Sequence, residues 1–512
     1  MKHKILTIVI LIAVAGMTLI TLVSPKGSMA AVEFSVKKGA ALDRVPKFQQ
    51  RLEADGFTLY EGKFAFMDAV KECCEQHLKD TLGNNPWPST YVIAQDLTPE
   101  GYPETIRPWV WRLREDEAIV LIGQTSPKAA YFSYGTFIAF LPEVEHKVGI
   151  PVGDGYNNLT IHTNGRDPFN RPIVYIITGH RETERRIRKA AQAAGYPASI
   201  INVETVSPVI APLGLRSEGS SLFLLHRVTI AEDPGALLDY IENPPYRVFR
   251  VTPNPAGEEP PQLDPLLDPD PQPVPVLRVR GTGHTEMELY PALKRLREAI
   301  LEAYPNTSHK VLDTQVFWED GKLAEKPYVG LQREIDVLGA TRDTNYFATY
   351  PYFMLRESEG EDEFVIVYGV NHQTTGKATY ASFSAYADPD RLFGLATTYS
   401  PDFDGTGRPG DSARKYLCPD DVNECDPDVQ YLYAWKVARH CDGEAFCMEV
   451  PQPEFEDIGG GTYKCDPEMI LEDQEAWLAF RTYLEPSTKT GPDDNELLYD
   501  QAIYFGPYFE ES

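Results

Sequence analysis

Hydrophobic and polar positions along the chain repeat a pattern, and the repeat is the clearest feature of the sequence. Leu113-Arg114-Glu115 is followed by Asp116-Glu117, five apolar residues from Ala118 to Ile122, and Gly123. Much later, Leu355-Arg356-Glu357 is followed, after a four-residue insertion, by Asp362-Glu363, five apolar residues from Phe364 to Tyr368, and Gly369. Lys128-Ala129-Ala130-Tyr131-Phe132-Ser133 then answers to Lys377-Ala378-Thr379-Tyr380-Ala381-Ser382, which brings the ordered identities to ten. An unbroken apolar run closed by Gly reads as a strand buried on both faces, and the Tyr-containing stretch after it as its hairpin partner.

Helical periodicity precedes each run. Phe66, Ala69, Val70, Cys73 and His77 share one face, as do Leu289, Leu293, Leu296, Ile300 and Ala303. In the first half a strand at 172–177 leads into a helix with the apolar face Ile187, Ala190, Ala191 and Ala194; Gly195 closes it, and a strand through Ile200, Ile201 and Val203 follows. That is a β-α-β pattern. The second half has no equivalent, only a strand-like 429–438 and a cysteine-rich loop. The expected fold is therefore α/β or α+β and internally duplicated: two related, unequal lobes, each with a helix and a strand-hairpin core. The first spans 31–252 and the second 276–512, with the disulfide-rich part at the C-terminal end. Nine prolines between 253 and 275 mark an extended connector.

The first 30 residues have another pattern. Lys2 and Lys4 precede an uncharged, mostly apolar stretch from Ile5 to Val23, with small residues at Ser28 and Ala30. This predicts an export signal cleaved after Ala30, although the 19-residue stretch is also long enough to serve as an uncleaved anchor. The protein is expected to be secreted, periplasmic or at the cell surface, and to touch the membrane only through such an anchor. The formal charge is −28, and −31 once Lys2, Lys4 and Lys26 are lost. With no basic stripe interleaved with aromatics, that excess of acid argues against nucleic acid as a partner.

Export puts the seven cysteines in an oxidising space. Cys418 with Cys425 and Cys441 with Cys447 are the economical pairs, leaving Cys465 to reach Cys73 or Cys74. A zinc site using His440 is the rival, but the gaps within the pairs do not suit one.

Several motifs carry little. Gly369 to Lys377 is too long for a phosphate loop and has Ala378 where Ser or Thr is required. Ser412-Ala413-Arg414-Lys415 and Lys489-Thr490-Gly491 match penicillin-recognising patterns without the middle motif. Gly179-His180 reads as an ordinary strand-to-helix turn. Asp402, Asp404 and Asp411, around a Gly-containing turn, supply alternating carboxylates for Ca2+ but depart from the EF-hand order.

The sharper candidates come from comparing the repeats. Where the first has Gln124-Thr125-Ser126-Pro127, the second has a loop three residues longer, Val370 to Gly376, which adds Asn371 and His372. Specialised loops on a shared scaffold are where function usually lies. Asn371 is assigned to an oxyanion, His372 to acid-base work and Lys377 to holding an anionic group. His284 and Glu286 form a second titratable pair beside Gly281 and Gly283, just ahead of a Thr285/Glu288 capping box. These groups predict an exported enzyme, a hydrolase acting in an inter-lobe cleft. The competing expectation is a non-catalytic extracellular protein that binds a small molecule or polysaccharide, stacking it on some of its 28 Tyr and 6 Trp.

Overall fold

The computed structural model describes residues 41–67, 89–142, 147–254, 262–317, 337–356, 363–387, 393–418, 425–450, 455–465 and 475–506, positions 338, 406, 460 and 461 apart. It is a mixed α/β architecture, rich in strands and with few helices. The first half runs α1 (Val45–Ala54), β1 (Phe57–Glu61), β2 (Lys63–Met67), β3 (Ser89–Gln95), β4 (Ala118–Gln124), β5 (Ala129–Phe140), β6 (Lys147–Pro151), β7 (Tyr156–Asn157), β8 (Pro172–Thr178), α2 (Arg181–Ala194), β9 (Ile201–Thr205), β10 (Ser221–Ala231), α3 (Pro234–Glu242) and β11 (Tyr246–Pro253). These strands form two sheets, β1-β11-β4-β8-β9 and β2-β3-β10-β5-β6.

The apolar run of β4 is continuous because both of its faces are covered. Ala118, Val120 and Ile122 meet Phe48, Leu52, Ile187 and Ala191 of the two helices. Ile119 and Leu121 point the other way, into a core shared with Phe132, Tyr134 and Leu224 of the second sheet. The result is three layers: helices, sheet, sheet. The predicted β-α-β unit is present, with β8 and β9 parallel. His180 caps α2 by accepting from the Thr183 N–H, and Gly195 ends the helix at a φ of 102° that disfavours any residue with a Cβ.

The second half contains α4 (Tyr290–Ala303), β12 (His309–Val316), β13 (Thr344–Tyr350), β14 (Phe364–Val370), β15 (Tyr380–Ala387), β16 (Phe393–Tyr399), α5 (Ser400–Phe403), α6 (Asp411–Leu417), β17 (Leu432–Ala438), β18 (Cys447–Glu449), β19 (Phe455–Gly459), β20 (Thr462–Cys465), β21 (Ala476–Tyr483) and β22 (Gln501–Phe505). Its main sheet has nine strands in the order β16-β15-β21-β13-β12-β22-β14-β17-β18. β12 joins two parts, pairing with β22 through His309–Leu312 and with β13 through Asp313–Val316. Cut there, the sheet reads β12-β22-β14-β17-β18 and β12-β13-β21-β15-β16, the strand order of the first half pair by pair. Direction agrees too, since β17 and β18 are parallel. Where α2 links β8 to β9, a short loop bonded between Cys441 and Cys447 links β17 to β18. Cys418 and Cys425 form the other disulfide, so neither pair is available to zinc with His440. Cys73 and Cys74, the expected partners of Cys465, lie outside the described residues.

The hairpin reading is corrected. β4 is flanked by β11 and β8, and β5 by β10 and β6, so the two strands lie in different sheets and the link between them is a corner. β14 and β15 are not paired either: within the nine-stranded sheet β14 lies between β22 and β17, and β15 between β21 and β16. A strand buried on both faces is central to its sheet, and its two edges are already occupied. Of the predicted upstream helix only Phe66 is described, and it sits in β2 with 41% exposure; Ala69 to His77 lie outside the described residues, and the described helix ahead of β1 is α1.

The recurring polar motif has a local job. Glu117 accepts from the Arg114 N–H at 2.9 Å and Glu363 from the Arg356 N–H at 2.8 Å, fixing the turn into each central strand. The glycine that follows is dictated by an approach from the side: a Cβ on Gly123 would lie 2.1 Å from the Tyr246 ring, and one on Gly369 would lie 2.4 Å from Asp500 Oδ1.

The described part of the connector, 262–275, is tied to the first half. Asp116 accepts from Leu266 N and Leu267 N at 2.7 and 3.1 Å, and His180 meets the Asp268 carbonyl at 2.9 Å. The two halves also meet directly. Asp343 accepts from Tyr131 Oη at 3.0 Å and from Asn157 Nδ2 at 2.8 Å, beside the packed rings of Tyr131, Tyr380 and Tyr483. Among the described residues no helix is long and apolar enough to cross a membrane.

Candidate functional site

The loop from β14 to β15 folds back on itself. Asn371 N donates to the Tyr431 carbonyl at 2.7 Å, Asn371 Oδ1 accepts from Gln373 N at 3.2 Å, and Gly376 takes a φ of 81° before Lys377 enters the core. This places His372 against two carboxylates from distant parts of the chain. Its Nδ1 lies 2.9 Å from Glu286 Oε1 and its Nε2 lies 3.6 Å from Asp500 Oδ2. The ring is wholly buried. Burial alone would lower its pKa, but Glu286 and Asp500 outweigh that and raise it to about 10. The enclosure thus favours the imidazolium form of His372.

Glu286 is fully engaged. It also accepts from Thr375 Oγ1 at 2.6 Å and from Leu498 N at 3.0 Å. Burial pushes its pKa up, and His372 with these donors more than reverses the effect. Asp500 Oδ1 accepts from Tyr433 Oη at 2.7 Å. Lys377 stands between Glu485 at 3.0 Å and Glu496 at 2.5 Å, with Thr282 Oγ1 at 3.0 Å. Against the upward pull of desolvation, Lys377 and the N–H groups of Thr282 and Gly283 hold Glu496 down at about 2. At the corresponding corner of the first half, Lys128 pairs with Glu232 at 2.6 Å in the open, and Thr125 bonds the backbone at Pro168 and Arg171.

Beside this network opens a recess of about 560 Å³, bounded by 284–289, 374–377 and 428–431. His284 and Glu288 are exposed on it, Glu286 and Lys377 reach its wall, and Asp428 and Tyr431 close the far side. The structure thus gathers all five sequence-selected residues, Glu286, His284, Asn371, His372 and Lys377, in one region. The capping box is not formed. Residues 287–289 make a 3-10 turn, α4 starts at Tyr290 with Pro291 in its first turn, and Thr285 Oγ1 accepts only from Met287 N at 3.4 Å.

The open lining carries the Glu288 and Asp428 carboxylates and the Thr374 and Thr375 hydroxyls, with His284, Thr285 and Tyr431 beside them. The cations at the wall already have partners. Chemically, the recess suits a ligand that brings its own donors. Asp500, Glu485, Glu496 and Tyr431 were not selected from the sequence. They carry no spacing signal, because each reaches the site from a separate segment.

Asp404 Oδ1 accepts from Gly410 N at 2.8 Å, Asp411 lies near Arg414 at 3.8 Å, and Asp402 sits in the single turn of α5. Among the described residues no three His, Cys, Asp or Glu side chains converge as a metal would require. Ser412 accepts from Ala434 N at 3.2 Å, and Thr490 donates to the Arg342 carbonyl at 2.7 Å.

No protein-family model matches the sequence, and no curated protein matches it. Among solved structures, the VPA0106 protein from Vibrio parahaemolyticus is 11% identical with a TM-score of 0.33, over 90% of this chain and 98% of that one. An uncharacterized protein from Burkholderia cenocepacia is 9% identical with a TM-score of 0.34, over 90% of this chain and 88% of that one.

Proposed function

We propose that the protein is an exported ligand-binding protein made of two diverged copies of one unit, the second of which acquired a recess for a small, donor-rich ligand such as a sugar or an amine. The duplication rests on the ten shared identities and on strand orders that match pair by pair. Export rests on the N-terminal pattern and agrees with the two disulfides.

The observation that carries the binding reading is the enclosure of His372, wholly buried between Glu286 at 2.9 Å and Asp500 at 3.6 Å, which favours its charged form. An imidazolium enclosed by two carboxylates has no lone pair to offer as a base and releases its proton only near pH 10. Asn371 is turned into its own loop and Lys377 is held by two glutamates, so the groups expected to do chemistry act as the frame of the recess. A hydrolase remains the second reading, favoured by the Glu286–His372–Asp500 succession, of which Glu286 reaches the recess wall.

Calorimetric titration of the mature protein with neutral sugars, amino sugars and polyamines tests the proposal, with Glu288→Gln and Tyr431→Ala as site variants. Saturable binding weakened at least tenfold by either variant, without product formation, supports it. Binding that ignores both variants, or turnover of any ligand, overturns it.

A further inference from the structure

Two buried arginines occupy like positions in the two halves. Arg227 of β10 stands opposite Tyr91 of β3 and Ser133 of β5, and Arg481 of β21 stands opposite Tyr346 of β13 and Ser382 of β15. Ser133 and Ser382 close the two Lys-Ala-x-Tyr-x-Ser stretches. Side chains alternate across a strand. Val228 and Phe480, beside these arginines, belong to the core of their own half, so Arg227 and Arg481 point away from it. On the Arg481 side Tyr483 packs across the junction on Tyr131, with ring centroids 4.8 Å apart. Tyr91, Tyr346 and Tyr483 lie within electrostatic reach of both guanidiniums, which puts the two arginines in one neighbourhood.

Each arginine is 8% exposed and rests on rings: Arg481 on Tyr346 and Tyr386 at 5.8 and 5.4 Å, Arg227 on Tyr91 and Phe137 at 5.9 and 5.2 Å. Arg481 Nη2 donates to Tyr386 Oη at 2.7 Å and Arg227 Nη2 to the Gly339 carbonyl, while Arg481 Nη1 is buried with no hydrogen-bond partner. Among the described residues neither arginine meets a carboxylate, although acids outnumber bases by 76 to 48 in the chain. A guanidinium cannot escape burial by losing its proton, and two cations in one neighbourhood also repel each other. Ring faces offset part of that cost but do not take up the in-plane N–H groups.

We propose that the junction between the halves binds a small oxyanion, a carboxylate or a phosphate, with Arg227 and Arg481 as its donors, one from each half. The planar fork of a guanidinium matches the oxygens of either group. An anion held in this way ties the halves together, so its binding favours the folded, assembled form. Neither arginine lines the recess, so this inference is independent of the ligand there.

The test is thermal unfolding and calorimetric titration of the purified protein with inorganic phosphate and, separately, with acetate and with benzoate, chloride making up a constant ionic strength. Arg227→Gln and Arg481→Gln run in parallel, and Lys189→Gln, at an exposed cation on α2, is the control. The proposal predicts saturable binding and a higher melting temperature with phosphate or with a carboxylate, the arm that responds naming the class. Either arginine variant weakens binding at least tenfold, and the control leaves it unchanged. Hydrogen exchange of the wild type decides the question if neither arginine variant folds, because the anion should slow exchange in β10 and β21. No response to any of these oxyanions, an equal response to added chloride, full binding by a folded arginine variant, or slowed exchange confined to other strands overturns the proposal.

Discussion

Replacing His372 with Ala should unfold the second half well before it changes any surface property. The substitution removes a cation that is 0% exposed and leaves Glu286 and Asp500 facing each other, 3% and 4% exposed. Breaking one partner of a buried pair typically costs about 3–5 kcal/mol. The rise in the His372 pKa from 6.5 to about 10 gives a consistent ceiling of about 5 kcal/mol, at about 1.4 kcal/mol per tenfold change. The sign follows from linkage: a folded-state pKa raised above the unfolded value contributes stability that is complete below pH 6.5 and is lost as pH climbs toward 10. Urea unfolding of wild type and His372→Ala, followed by tryptophan fluorescence at several pH values, measures both effects. The wild type should lose stability across that window while the variant lacks this component. A His372→Ala protein within about 0.5 kcal/mol of wild type, as expected of an ordinary surface substitution, would refute the buried ion-pair account.

Other expectations follow from the same geometry. Gly369→Ala puts a Cβ 2.4 Å from Asp500 Oδ1 and should cost about 1–3 kcal/mol by overpacking; a neutral result in chemical denaturation would contradict the close approach. Asp343→Ala strips Tyr131 and Asn157 of their acceptor between the halves and should cost about 1–3 kcal/mol, read in the same assay, with no loss if the junction is not built as described. Non-reducing peptide mapping should recover Cys418 with Cys425 and Cys441 with Cys447 and no scrambled pair. Chelation should leave the melting temperature unchanged, because Asp404 is committed to Gly410 N and Asp411 lies near Arg414; a calcium-restored transition would reinstate the metal site.

What the sequence disclosed depended on how local each cause was. The buried central strands were legible because a run covered on both faces is apolar throughout, and the β-α-β unit because Gly195 and the Ile187 face mark its helix. The pairing of β4 was not legible, since its neighbours β8 and β11 come from residues 172–178 and 246–253. Nothing in a short connection tells a hairpin from a corner between sheets. α1 was missed although Val45, Phe48 and Leu52 have helical spacing, because three apolar positions within a 10-residue helix make a short signal. At the site, His372 was conspicuous as an addition to one of two similar sequence stretches. Its charge state was hidden, because it is set by Glu286 and Asp500, which are 86 residues before it and far beyond it in the chain.

The central claim is that His372 is held as a cation behind Glu286 of the recess wall and does not act as a base. Nitrogen NMR of histidine-labelled mature protein across pH 6 to 11, with His372→Gln to assign the signal, tests this directly. The account predicts that both ring nitrogens of His372 stay protonated at pH 7 and that the proton leaves only near pH 10. A neutral single tautomer at pH 7 would contradict it and return the site to acid-base chemistry.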